Sequence, residues 1–126
     1  MAKKTSKTTE EHFKIFKEEC EYWLTKFNLK CYSIYYVHDE CEDAYATIQY
    51  DCVNRMATIF FNTDFGDIGI SEDHIRETAF HEVCELLLGR LAWLAESRYL
   101  GSTDIEEELH NIIRTLENTV FKEMKR

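Results

Sequence analysis

The stretch Phe80-His81-Glu82-Val83-Cys84-Glu85-Leu86-Leu87-Leu88 carries the one local pattern with evident chemistry, an H-E-x-x-E inside a segment of helical periodicity. At about 100° per residue, His81 and Glu85 stand roughly 40° apart on one helix face and one turn apart in height. An imidazole nitrogen and a carboxylate oxygen so placed can bind the same ion, and zinc accepts both donor types. Glu82 stands beside that face, near enough to serve as a general base toward a water that the ion activates. A catalytic zinc site needs three protein ligands and an open position, so a further donor is required. The last helical segment is where to look. Relative to Ile105, the residues Glu106, His110 and Glu117 fall at about 100°, 140° and 120° and form a polar stripe flanking the apolar one. His110 is the first choice for third ligand and Glu106 the second. Glu108, on the opposite flank, is the third.

The pattern ETAFHEVCELLLGRLAWLAESRYL, followed by DIEEELHNIIRTLEN, resembles the small metallopeptidase-like proteins encoded in many phage genomes, which are themselves similar to minimal zincins. The resemblance spans about residues 75–119. It implies a zinc ion, Glu82 as general base, and a peptide or protein as substrate, in the cytoplasm of a host cell. It departs at Glu85, where the zincin motif H-E-x-x-H has its second histidine, which leaves a more anionic site. A rival from another class stays open: a noncatalytic phage accessory or host-interaction protein on a degenerate zincin-like scaffold. For single residues the alternatives are plainer. His81 can hydrogen-bond Glu85 on a solvated edge, and His110 can pair with Glu106 or Arg114 at i±4. Cys84 reads as a small core residue. His38 and His74 lack sequence partners and receive no role, and Tyr32, Tyr35, Tyr36, Tyr45 and Tyr50 read as sheet residues, any one of which could donate to an oxyanion.

The elements that must position these residues follow from periodicity. Thr8 with Glu11 offers a capping box for a first helix running to about residue 28, with Phe13, Phe16, Cys20, Trp23, Leu24 and Phe27 on one side. Three β-rich runs follow, Cys31 to His38, Ala44 to Tyr50 and Arg55 to Asn62. The acidic linker 39–43 separates the first two, and the short link Asp51 to Asn54 closes an antiparallel hairpin. Ile59-Phe60-Phe61 suggests a third strand covered on both faces. Ser71 caps a long central helix that runs from Ile75 to about Tyr99 and stops at Gly101. Thr103 with Glu106 opens a last helix whose Ile105, Leu109, Ile112, Leu116 and Val120 form its apolar stripe. The expected class is α+β: an N-terminal helix, a small three-stranded, mostly antiparallel sheet, then two long antiparallel helices. Residues 1–7 read as a flexible leader and residues 8–126 as one domain.

Composition sets the outer bounds. The 126 residues include no proline and only four glycines, which describes an ordered chain, with length enough for a hydrophobic core of its own. A formal net charge of −9 works against nonspecific attraction to nucleic acid phosphates and suits basic partners. The five cysteines show no C-x-x-C pair and no disulfide framework, which fits a reducing, cytoplasmic setting. No apolar run approaches a membrane span, and G-K-[ST] and G-x-S-x-G signatures are missing.

Overall fold

The structure, a computed structural model, describes residues 5–97 and 101–124. It is α+β, in the order that periodicity predicts. Helix α1 (Glu10–Lys26) precedes strands β1 (Ser33–His38), β2 (Ala46–Asp51) and β3 (Met56–Phe61). After a 3-10 turn at Gly66–Ile68 come α2 (Glu72–Glu96) and α3 (Ser102–Leu116), the latter followed by a π-helical turn Glu117–Phe121 and a last turn Lys122–Met124. Among the described residues no helix is long and apolar enough to cross a membrane.

The strand order is β1-β3-β2. The link after Asp51 closes an antiparallel β2–β3 hairpin, as its length requires, but β1 runs parallel to β3. The sheet is therefore mixed, with half its pairings parallel where a mostly antiparallel arrangement was expected. The reason lies in the acidic loop 39–45, which carries the chain from the end of β1 past the end of β3 to the far edge before the hairpin begins. Asn62, buried at the end of β3, holds this loop: its side-chain amide donates to the Cys41 and Ala44 carbonyls at 2.8 and 2.7 Å, and its backbone N–H donates to Tyr45 O at 2.9 Å. Those carbonyls would otherwise be unsatisfied where the loop crosses the sheet.

The register puts His38–Phe61–Ala46, Tyr36–Ile59–Ile48 and Ile34–Ala57–Tyr50 in three rows on one face of the sheet. Against that face pack Phe16, Cys20 and Leu24 of α1 and Ile75, Ala79, Val83 and Leu86 of α2, all buried. β3 alternates regularly. Ala57, Ile59 and Phe61 are buried while Phe60 is only half-buried, so the strand is central but fully covered on one face only. Each large side chain buried here contributes about 1.5–3 kcal/mol relative to exposure.

The helix starts are set by short polar side chains, in two cases not the expected ones. Thr9 caps α1, with its hydroxyl accepting from His12 N and the His12 ring accepting from Thr9 N. Thr8 is drawn inward instead, its hydroxyl donating to Asn62 O at 2.8 Å and lying 2.6 Å from His38 Nε2. Just before it, Ser6 and Lys7 bond to Asp64 and Phe65, so the end of the expected leader is held to the domain; residues 1–4 lie outside the described residues. Ser71 caps α2 as predicted. α3 begins at Ser102, with the Asp104 carboxylate accepting from Gly101 N–H, rather than at a Thr103–Glu106 box. α2 ends at Glu96, with the Ser97 N–H donating to Leu94 O, short of the expected Tyr99, which lies outside the described residues; Gly101, expected to stop that helix, is instead the N-cap of α3.

Candidate metal centre

On α2, Ile75, Ala79, Val83 and Leu86 define the side that meets the sheet and α1. Glu82 lies about 20° from Ile75 and about 40° from Leu86 on the helical wheel, so the helix commits its carboxylate to the core-facing side. His81 and Glu85 lie further round, toward solvent. Glu82 is 3% exposed, whereas the His81 and Glu85 side chains are 73% and 51% exposed. The three residues form a cluster in which one donor atom from each lies within 4.8 Å of the others. His81 Nε2 and Glu85 Oε2 are 3.6 Å apart, close to the spacing of about 3.4 Å that tetrahedral zinc with bonds of about 2.0–2.2 Å requires.

The electrostatics mark the same point. Glu82 Oε2 is buried without a hydrogen-bond partner. Burial first, then a hydrogen bond and negative charge shared with Glu85, push the Glu82 carboxyl up to about 9. Glu82 also helps to raise the Cys20 and Cys41 thiols, after burial in both cases. A carboxylate buried without a cation costs several kcal/mol. A divalent ion among these three donors would relieve that cost, so the residues present fit a metal of the zinc type.

The third ligand expected from the last helix does not arrive. α3 turns Glu108 and Ile112 inward, with Ile105 and Thr115 half-buried beside them. This packing side is centred roughly 75° away from the centre of the apolar stripe. His110 then lies about 180° from the side that faces α2, and Glu106 is turned outward too. Both are exposed, beside Thr103 and Glu107 in a separate surface hollow. Glu108 is committed elsewhere: its carboxylate accepts from Arg90 Nε at 2.9 Å. Arg90 is nine residues beyond His81, about 13.5 Å along the axis and on the opposite side of α2. His110, Glu106 and Glu108 are thus withdrawn as ligands to the His81 cluster. Among the described residues, His81, Glu82 and Glu85 are the one group of three that could hold a metal.

Three neighbours escaped the sequence reading. A hollow of about 290 Å³ opens beside Glu82 and His81, walled by Asp43, Ala44, Tyr45 and Ala46 on one side and by His74, Glu77 and Thr78 on the other. His74 packs edge-on against Tyr45 and Phe65, with ring centroids at 4.6 and 5.4 Å. Its place was readable, since seven residues before His81 is two turns and about 20° on the wheel. Tyr50 lies against Gly89, where a β-carbon would come within 2.7 Å of the ring. A glycine inside a helix signals such a close approach. Asp43 had no readable signal, because it reaches the hollow only through the path of the 39–45 loop. Comparisons of this chain with family models, with curated proteins and with solved structures find no match.

Proposed function

We propose that this protein is metallopeptidase-like, of the minimal zincin type: α2 grips a divalent cation, zinc in the first instance, through His81 and Glu85, and Glu82 handles the proton during peptide hydrolysis. The observation that carries the reading is the buried Glu82 carboxylate, its Oε2 without a hydrogen-bond partner, within reach of two exposed donors at ligand spacing. When bound, the cation would polarise a carbonyl and lower the pKa of water. Glu82, its ionised form favoured by the cation's charge, would take a proton from the attacking water and pass it to the leaving amine. β2 is the edge strand beside the cluster, with Ala46 in the wall next to Glu82, and its free edge would align an extended substrate by main-chain pairing.

One observation favours the second reading, a noncatalytic binding protein on the same scaffold. With His110 and Glu106 turned outward, a three-donor site must use Glu82 as a ligand, and then no base remains. Replacing Glu82 by Gln separates the two. Elemental analysis of untagged protein, with turnover of a pooled set of fluorogenic peptides, should give near one zinc per chain in both proteins and turnover in the wild type only. Loss of zinc in the variant makes Glu82 a ligand and supports the second reading. No zinc in either protein after reconstitution removes the metal altogether.

A further inference from the structure

The hollow beside the cluster has walls of uneven charge. Asp43, Glu77 and Glu82 contribute three carboxylates, His74 and His81 two imidazoles, and no lysine or arginine lines it. Among the described residues neither Asp43 nor Glu77 has an ion-pair partner. Glu82, nearly fully buried, is part of the lining, and its Oε2 has no hydrogen-bond partner. Asp43 and Glu77 stand in the wall as two carboxylates of a chain whose formal charge is −9, and that field favours a cation.

The walls are also built rather than loose. Asn62 fixes the loop on both sides of Asp43 through the Cys41 and Ala44 carbonyls. Asp43 itself sits at φ 56, a left-handed conformation that aspartate tolerates. Tyr45 is held by the His74 and Phe65 rings. Opposite, Glu77 and Thr78 project from the same helix as the cluster. About 290 Å³ is at the small end of ligand pockets and suits one long side chain rather than a length of peptide.

We infer that this hollow is a subsite for a cationic side chain, arginine foremost, of the peptide presented to the α2 cluster. The inference rests on the peptide-processing reading above. A planar guanidinium offers paired donors to Asp43 and Glu77 and can lie against the Tyr45 ring, whereas an ammonium offers a point charge alone. Substrates would then be chosen for an arginine beside the bond at the cluster.

The test uses the full chain, zinc-loaded and zinc-free, and two probes of nearly equal shape, N-acetyl-arginine amide and the neutral N-acetyl-citrulline amide. Amide shifts of residues 43–46 and 74–78 are followed by NMR. The arginine probe should bind at least tenfold more tightly than citrulline at low salt, with the difference shrinking as salt rises. The double variant Asp43→Asn with Glu77→Gln, both exposed positions, should lose that preference and keep zinc affinity within about twofold by calorimetry. Equal affinity for both probes, or a preference that survives the double variant, overturns the subsite. Zinc binding without arginine preference would sink this inference and leave the metal reading standing. Arginine preference in a chain that never takes up zinc would support the subsite and sink the metal.

Discussion

Two buried carboxylates lie on or against helix α2, and they are handled differently. At its crossing with α3, Arg90 meets Glu108, which is 8% exposed and accepts from the guanidinium at 2.9 Å. Just over two turns earlier, Glu82 is buried more deeply, and its neighbours are another carboxylate and an exposed imidazole. The first site balances its charge with a partner from the chain, as a structural contact does. The second leaves an acceptor unpartnered and its carboxyl raised. Buried, strained electrostatics of that kind persist where something outside the chain completes them. The contrast therefore separates a packing device from a poised site on one continuous helix.

The largest way to sharpen the contrast is Glu82→Gln. If Glu82 moves the proton, turnover of a cleaved peptide should fall by about 10²–10⁴-fold, with zinc content unchanged. The matching change at the other place, Glu108→Ala, should leave zinc affinity unaltered. It should lower stability by about 1–2 kcal/mol in denaturant unfolding, short of the 3–5 kcal/mol for a wholly buried pair. The discount reflects Arg90, 52% exposed and able to turn its freed charge to water. A Glu108→Ala variant that loses zinc would break the comparison, since the two places would then be one network.

Much of the cluster was legible because a single helix fixes it. The i, i+4 spacing of His81 and Glu85 and the Ser71 cap are local facts, and local facts survive folding. The hairpin at Asp51 was legible for the same reason. What failed to read was everything set by the path of the chain between elements. Strand order is not encoded in the strands' own runs, so the parallel pairing of β1 with β3 could not be foreseen. The rotation of α3 was hidden differently: Leu109, Leu116 and Val120 stay substantially exposed, while a glutamate goes inward to meet Arg90. Apolar periodicity ranks faces by transfer energy and takes no account of a cross-helix ion pair.

Metal-free protein offers a third comparison, now as a function of pH. Glu82 has an ordinary value of 4.5 and is raised to about 9 in the fold. Below about pH 4.5 both folded and unfolded chains hold the proton, and burial carries no ionic penalty. As pH rises from there toward 9, the unfolded chain gives up the proton and the folded chain keeps it, so stability falls across that window. Glu82→Gln should flatten this slope and make the metal-free variant more stable than wild type by about 1 kcal/mol at pH 8. The two should converge near pH 4. His38 works with the opposite sign: burial lowers it below 6.5, so its contribution is complete above about pH 6.5 and is lost as pH falls. Urea midpoints measured from pH 4 to 9 resolve both slopes, and a wild-type chain that grows more stable between pH 7 and 9 would contradict the assignment for Glu82.

The smallest expected effect is the most direct check on how α3 is oriented. His110 is exposed, about 180° from the side that meets α2, in a hollow shared with Glu106 and Glu107. Replacing it with Ala should change stability by less than about 0.5 kcal/mol, as surface substitutions do, and should leave zinc affinity within twofold by calorimetry. His81→Ala, measured beside it, should reduce that affinity by at least tenfold, because it removes one of the two residues proposed to grip the ion. If His110→Ala instead weakens zinc binding as His81→Ala does, α3 must rotate by about half a turn when metal enters. Glu108 would then leave Arg90, and the balanced pair would become the cost of assembling the poised one.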